Sequence, residues 1–197
     1  MLKKIGLQYS AVINQNTKQT EMKSLLLFTL LFTHLAWGQH IQAPTGSIIT
    51  PTDAQKLLDH HNKVRAAVKV DKLTWSPRLA RYAQQWAQHL ADDKRCKMIH
   101  SDCQDEYGNH FGENLFWGSD ATAFNALDAS KSWYEEKSDY SYEPVGGSNQ
   151  KGVGHYTQMV WRNTREVGVG IGYCKTGGII IVASYFPAGN YVGEYPY

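Results

Sequence analysis

The C-terminal part of the chain contains the feature that most restricts its fold, a segment in which glycine alternates with apolar residues. Between residues 167 and 173, apolar side chains alternate with Gly168, Gly170 and Gly172. This alternation predicts a strand against which another element packs closely. Residues 175–178 give a hairpin signal, and residues 179–186 are predicted to return as a second strand.

Helical patterns precede this hairpin. Apolar residues within 57–68 follow helical spacing, and His61 lies on the apolar side of that first helix. Ser76-Pro77 predicts the start of a second helix, because proline is favoured at the first helical position. A third helix is expected to end at Lys137, and a short fourth one to cover His155–Trp161. Helices first and strands later favour an α+β fold with an antiparallel sheet.

Residues 1–38 are predicted to be an upstream extension followed by a signal peptide. Residues 25–35 are almost continuously apolar, but too short for a membrane span, which needs about 20 residues. Ala36-Trp37-Gly38 fits a signal-peptidase site, so Gln39 is the predicted mature N-terminus; the alternative is a genuine N-terminal anchor. Residues 39–52 are a predicted linker and residues 53–197 a single domain. The prediction is a secreted protein, or a periplasmic one in a bacterium, without a stable membrane span.

Net charge gives no support to nucleic-acid binding. The full sequence carries a formal charge of +2. Removal of the predicted leader takes away four lysines and one glutamate, which moves the charge to −1. A nucleic-acid-binding domain is expected to present a basic face, so this class of partner is excluded from the prediction.

The sequence has three cysteines, and all of them lie beyond the predicted leader. Export implies an oxidising compartment, in which disulfides persist. Cys96 and Cys103 flank a polar loop, so a short-loop disulfide between them is the predicted bridge. Cys174 is then left over, either buried and inert or paired differently.

Four polar islands contain two histidines and two glutamates that are predicted to converge on one pocket. These residues are His61, Glu113, Glu136 and His155. A histidine beside a carboxylate gains a fixed tautomer and greater basicity, so His61 and His155 are the predicted ligands of a divalent cation. Two histidines alone make a weak zinc site, because catalytic zinc normally has three protein ligands. The alternatives are that His61 is a satisfied core histidine and that Glu135 takes the place of Glu136.

The four islands resemble the CAP superfamily, which comprises cysteine-rich secretory proteins, antigen 5 and pathogenesis-related 1 proteins. The resemblance is carried by Gly154–Thr164, Tyr185–Tyr191, His61-Asn62-x-x-Arg65 and Gly112–Leu115, in one order along the chain. It implies a three-layer α-β-α sandwich with a central antiparallel sheet and a large open cleft. It also implies that His61, Glu113, Glu136 and His155 form a cavity tetrad that binds zinc or another divalent cation weakly.

Two departures from the family bear on the disulfides. Ala183 and Val169 stand where the family has cysteines, so bridges that use those positions cannot form. This makes a local bridge between Cys96 and Cys103 more attractive and leaves the pairing of Cys174 open.

The resemblance leaves three classes of function open. The first expectation is a secreted protein that binds a lipid, sterol or peptide in the cleft. The alternatives are a metal-dependent hydrolase or protease that uses the same tetrad, and an extracellular interaction or defence module. The sequence contains no Gly-x-Ser-x-Gly elbow, which disfavours classical nucleophilic catalysis. Two histidines make an incomplete catalytic zinc site, so binding is favoured over hydrolysis and no catalytic residue is assigned.

Overall fold

The computed structural model describes residues 40–105, 107–146 and 152–197. The predicted leader and cleavage site lie outside these ranges. The helices are α1 (Pro51–Ala67), α2 (Pro77–Asp92), α3 (Ala126–Glu135) and α4 (Gly154–Met159), with a 3₁₀ turn at Glu136–Asp139. The strands are β1 (Thr74–Trp75), β2 (Gly112–Gly118), β3 (Glu166–Tyr173) and β4 (Ile179–Phe186). None of the helices in these ranges is long and apolar enough to cross a membrane.

The four strands form one sheet in the order β1-β3-β4-β2. β3 and β4 form the predicted antiparallel hairpin, and β2 pairs antiparallel with the other side of β4. The two-residue β1 adds a short parallel pairing to β3. The predicted α+β class is therefore confirmed, and β2 lies at an edge of the sheet.

Helix α2 covers one face of the sheet at very short range, because β3 has glycines there. A Cβ atom added at Gly168 would lie 2.1 Å from the backbone nitrogen of Ala80, and one at Gly170 would lie 2.2 Å from that of Gln84. Any side chain at these positions would push the helix away. The glycine alternation therefore determines how closely α2 approaches the sheet, as the sequence predicted.

The opposite face of the sheet is covered by α1, α3 and α4. Leu57 of α1, Trp133 of α3 and Met159 of α4 belong to one buried cluster with Val169 and Ile181 of the sheet. Side chains alternate between the two faces of a strand, and the neighbours of Ile181 in β4 pack on the α2 side. The architecture is the predicted three-layer α-β-α sandwich.

The segment predicted as a linker packs against the domain. Ile41 and Ile49 are buried in the core cluster that contains α1. The carbonyl of Thr45 accepts a hydrogen bond of 2.8 Å from the indole Nε1 of Trp75. From Ile41 onwards, this stretch is therefore part of the folded unit.

The predicted disulfide between Cys96 and Cys103 is wrong, because the structure joins Cys96 to Cys174. Cys96 follows the end of α2, and Cys174 comes directly after β3, the strand on which α2 packs. The end of the helix and the end of the strand therefore meet, and the two Cα atoms are 5.8 Å apart, within the usual range for a disulfide. Val169 and Ala183 pair with each other across β3 and β4 as a buried apolar pair.

Candidate functional site

A cleft of about 330 Å³ opens beside the first residues of the edge strand β2. Its walls come from the loop before β2, from β2 itself, from the 3₁₀ turn, from the start of α4 and from the segment after β4. The lining residues are His100, Cys103, Gly112, Glu113, Asn114, Glu136, Gly152, Gly154, His155, Gln158, Gly189 and Asn190. The structure thus brings Glu113, Glu136 and His155 of the predicted tetrad to one cleft.

Glu113 holds the imidazole of His100 at one side of the cleft. Its Oε1 lies 2.7 Å from Nδ1 of His100 and also accepts from the backbone N–H of Ser101, while Oε2 accepts from the Ser101 hydroxyl. The Glu113 side chain is only 2% exposed, whereas that of His100 is 61% exposed. The hydrogen bond to Glu113 raises the pKa of His100, because the carboxylate favours the charged imidazolium.

Glu136 holds His155 in the same way at the other side of the cleft. Its Oε1 lies 2.5 Å from Nδ1 of His155. Its Oε2 accepts from the backbone N–H groups of His155 and Tyr156, which are free donors in the first turn of α4. One carboxylate therefore caps the helix and orients the histidine that the helix carries. Glu135, the sequence alternative, does not line this cleft.

The two histidine–glutamate pairs reach the cleft from opposite faces of β2. Glu113 shares a face with Leu115, which packs in the cluster beneath α2. Asn114 points to the other face, where it contacts the carbonyl of His155 in α4. The cleft therefore straddles the edge strand, and two separate layers of the sandwich contribute one imidazole each.

The predicted placement of His61 in the cleft is wrong. Its side chain is fully buried among α1, α3 and the sheet. Nδ1 lies 3.0 Å from the carbonyl oxygen of Leu57, and Nε2 lies 2.9 Å from the Tyr185 hydroxyl. Burial lowers the pKa of His61 to about 3, so the ring is neutral at neutral pH. Both ring nitrogens have protein partners, which leaves neither available to a cation.

His100 takes the place that the sequence interpretation gave to His61. It lies in the irregular loop between α2 and β2, where no periodicity marks a functional face. Two signals were available in the sequence. The apolar spacing around His61 already pointed to the core, and His100-Ser101 lies in the polar loop that leads to Glu113.

Arg65, which belongs to the same sequence motif as His61, stabilises the C-terminal end of α4. Its buried guanidinium donates to the carbonyls of Met159, Trp161 and Thr164, and to that of Asp71. Burial lowers the pKa of Arg65 to about 10, still well above neutral. A cation at the C-terminal end of α4 also complements the helix dipole. Arg65 therefore fixes the far end of the helix whose first turn carries His155.

Cys103 lines the cleft as a free thiol. Its backbone N–H donates to the hydroxyl of Ser101, the residue that also contacts Glu113. Burial raises the pKa of the Cys103 thiol, so it stays protonated at neutral pH. A protonated thiol is a poor nucleophile, and the site therefore lacks the activated cysteine that thiol catalysis needs.

The donor set of the cleft fits a weakly held cation with two protein ligands. Both carboxylates are acceptors, so Nδ1 of each imidazole carries the hydrogen and Nε2 carries a lone pair when the ring is neutral. Within the described residues, neither Nε2 has a hydrogen-bond partner, and no group of three or more His, Cys, Asp and Glu side chains is arranged to hold a metal ion. Histidines with Nδ1 fixed by a carboxylate are the usual arrangement of metal ligands.

The fold and the paired imidazoles define a cleft-bearing α-β-α protein, and comparison with known sequences identifies its family. The model of the CAP family, described as the cysteine-rich secretory protein family, matches residues 58–186. Pathogenesis-related protein 1C of Nicotiana tabacum is 38% identical over 174 residues, which cover 88% of this chain and 91% of that protein. Pathogenesis-related protein 1 of Arabidopsis thaliana is 39% identical over 160 residues, covering 79% and 91%. The chain belongs to the CAP family.

Solved structures share the fold. The crystal structure of NaASP2 with Zn²⁺ has a TM-score of 0.61 at 26% identity, covering 81% of this chain and 88% of that one. The structure of BmVAL-1 has a TM-score of 0.65 at 26% identity, covering 79% and 86%. The three-layer sandwich is therefore common to this chain and to both proteins.

Proposed function

We propose that the protein is a secreted binding protein whose cleft holds a divalent cation, and through it a polar ligand. The observation that carries the proposal is the pair of imidazoles of His100 and His155, each fixed at Nδ1 by a buried or half-buried carboxylate in the same cleft. These two side chains replace the His61 and His155 pair expected from the sequence. Zinc bound to one of the structural neighbours, NaASP2, supports the choice of cation.

The cation would be held by Nε2 of His100 and of His155, and water or ligand atoms would complete its coordination. When bound, it supplies a positive charge and open coordination positions to a ligand. Two protein ligands are fewer than the three or four of tight zinc sites, so weak binding is expected. Glu113 and Glu136 contribute by fixing the orientation of the two rings.

The lining of the cleft favours a polar ligand such as a peptide over a lipid or sterol. Its side chains are carboxylates, imidazoles, amides and one thiol, and its other residues are glycines. Sites for lipids and drug-like ligands are lined mainly by apolar and aromatic side chains with few polar groups. Of the three ligand classes considered for the family, a peptide therefore fits this cleft best.

Hydrolysis receives no support from the arrangement of the carboxylates. Glu113 accepts from the imidazole of His100 and from two groups of Ser101, and Glu136 accepts from one imidazole and two backbone N–H groups. A general base needs a lone pair directed at the water that it activates. Both carboxylates are instead committed to holding other groups, so they act as orienting residues.

Zinc titration calorimetry on single variants tests the proposal. His100→Ala and His155→Ala should each abolish measurable zinc uptake at pH 7.5, because one imidazole alone cannot hold the ion. Glu113→Gln should weaken uptake by about 10–100-fold, since the remaining oxygen still accepts from Nδ1 but carries no charge. His89→Ala is the matched control, because His89 also pairs with a carboxylate, that of Asp93, on the exposed surface of α2.

Zinc affinity that is unchanged in His100→Ala would refute the proposed site. Loss of uptake in His89→Ala would point to surface binding instead. A bound peptide is sought by mass spectrometry of the protein purified from its native source, with and without chelator. Release of the same peptide on chelation supports a cation-dependent ligand.

The names of the relatives supply the biological context of the proposal. Plant proteins similar to this chain are called pathogenesis-related, and the family is described as secretory. We extend that context to this chain as an extracellular interaction module acting in defence. N-terminal sequencing of secreted material tests the first half of this statement: an N-terminus at or near Gln39 supports export, and retention of Met1 would contradict it.

A further inference from the structure

The main chain of Glu113 faces away from the sheet, as the hydrogen bonds of the β3–β4 hairpin show. Successive residues of a strand direct their N–H and C=O groups to alternate sides. The N–H of Cys174 donates to the carbonyl of Gly178, whereas both main-chain groups of Ile171 bond to the side-chain amide of Gln84. Even-numbered residues of β3 therefore bond to β4. The pairing registers then direct the even-numbered residues of β2 at β4, and residues 113, 115 and 117 outward.

The indole of Trp133 agrees with this orientation and limits the free part of the edge. Its Nε1 donates over 3.0 Å to the carbonyl of Leu115, which has turned away from β4. Leu115 is also only 4% exposed, so a further strand cannot pair with it. Of the three outward-facing residues of β2, Glu113 alone lines the cleft. The free edge in the cleft is therefore one residue long.

The main chain of Glu113 is accessible from the cleft. Its side chain is only 2% exposed, yet the residue as a whole is partly exposed, so most of its exposed surface belongs to the main chain. Among the residues that the structure describes, its N–H and C=O have no hydrogen-bond partner. An unpaired donor and acceptor at the edge of a sheet are a template for another extended chain.

We propose that the peptide ligand of the cleft binds as an extended segment, and that one of its residues forms two main-chain hydrogen bonds with Glu113. The N–H of Glu113 donates to a peptide carbonyl, and its C=O accepts from a peptide N–H, as in other cases of strand addition. The inference rests on the proposed function for the class of ligand, but the pairing itself needs no cation. A second copy of the chain is the less suitable partner, because its edge strand would need a longer free edge than Trp133 leaves.

The same geometry separates affinity from specificity. Main-chain hydrogen bonds do not depend on the peptide sequence, whereas the side chains on either face of the added segment do. The peptide residue opposite Glu113 directs its side chain to the face on which Glu113 holds His100. The peptide residues on either side of it point to the other face, where Asn114 contacts His155. The two imidazoles therefore meet alternate side chains of the peptide.

Nuclear magnetic resonance of the ¹⁵N-labelled protein tests the pairing with a defined probe. The probe is a capped pentapeptide of alternating threonine and valine, which favours the extended conformation and carries no charge or metal ligand. Exchange of the Glu113 amide hydrogen with water should slow by about threefold at a peptide concentration of about twice its Kd. The outward-facing amide of Trp117, about 13 Å along the strand, is the internal control and should not change. The same peptide with all its amides N-methylated should have no effect, because it has no donors left.

The outcomes separate this inference from the proposed function, since zinc calorimetry on the same protein is an independent measurement. Zinc uptake without slower exchange at Glu113 overturns only the pairing, and slower exchange without zinc uptake supports the pairing while refuting the cation site. Equal protection by the N-methylated peptide would overturn the pairing, as would a probe that causes no shift in the cleft. Protection that rises with protein concentration in the absence of peptide would also overturn it, because the partner would then be a second copy.

Discussion

Removal of the disulfide between Cys96 and Cys174 should cost far more stability than removal of Cys103. The bond closes a loop with a sequence separation of 78 residues. A cross-link over such a length removes many conformations from the unfolded chain, and this loss destabilises the unfolded state relative to the native one. The double variant Cys96→Ala with Cys174→Ala restores those conformations.

The size of the effect follows from the loop length. For a separation of 78 residues, the chain-entropy relation gives about 4.5 kcal/mol at 25 °C. The same relation gives about 2.4 kcal/mol for the short loop from Cys96 to Cys103 that the sequence had suggested. Both bonded cysteines are buried in the cluster beneath α2, so loss of their sulfur contacts adds to the first figure. Against a typical total stability of about 5–15 kcal/mol, the longer cross-link is a large part of the whole.

Urea denaturation at pH 7 of wild type, the double variant and Cys103→Ala measures these differences. The double variant should lose about 4 kcal/mol or more and show a steeper dependence on urea, because its unfolded state is more expanded. Cys103→Ala should lose about 1 kcal/mol or less, since its side chain is only half-buried. A double variant no less stable than Cys103→Ala, or a peptide map that links Cys103 to Cys96, would refute the reasoning.

Three further results are expected. Arg65→Met should lower the free energy of unfolding by about 3 kcal/mol or more, because three buried carbonyls and one part-buried carbonyl lose their charged donor. Arg78→Met, at a half-exposed position, is the control in the same urea series. His61 is held neutral in the fold with a pKa of about 3, so below pH 6.5 the unfolded state binds a proton that the native state does not. The free energy of unfolding should therefore fall by about 2 kcal/mol between pH 7 and pH 5, and thermal melts of His61→Gln should show a weaker dependence on pH. The raised pKa of His100 changes stability in the opposite direction, but solvent screens this exposed ring. Glu136→Gln should weaken zinc binding by about 10–100-fold in calorimetry and reduce the protection of the first turn of α4 from hydrogen exchange, whereas Glu135→Gln should change neither.

Elements with a strong local signal could be predicted from the sequence. The alternation of glycine with apolar residues predicted that another element packs closely on β3, and the structure shows that this element is α2. Ser76-Pro77 predicted the start of α2. Boundaries without such a signal shifted: α3 was expected to reach Lys137, but it ends at Glu135 and continues as a 3₁₀ turn. That shift has a consequence for the site, because the turn directs Glu136 towards the first N–H groups of α4.

The cysteine pairing could not be predicted, because it depends on tertiary structure. Cys103 is close to Cys96 in sequence, but the hydrogen bonds of Ser101 hold it in the wall of the cleft. Cys174 is far away in sequence and close in space, since α2 lies along β3. The resemblance to the family showed that Val169 and Ala183 stand where other members have cysteines, which excludes disulfides at these two positions. It did not show which cysteine lies beside the C-terminal end of α2.

The error over His61 shows that the family motifs contain two kinds of residue. His155 and Glu113 line the cleft, whereas His61 and Arg65 stabilise its walls from the core. His61 does so through Tyr185, and Arg65 through the carbonyls at and after the C-terminal end of α4. The two kinds should separate in measurement. Substitution of His61 or Arg65 should lower stability while leaving the zinc affinity of the folded fraction nearly unchanged. Substitution of exposed His100 should leave stability nearly unchanged and lower the zinc affinity. Its ring makes one hydrogen bond to the protein, and its Nε2 is available to bind the cation.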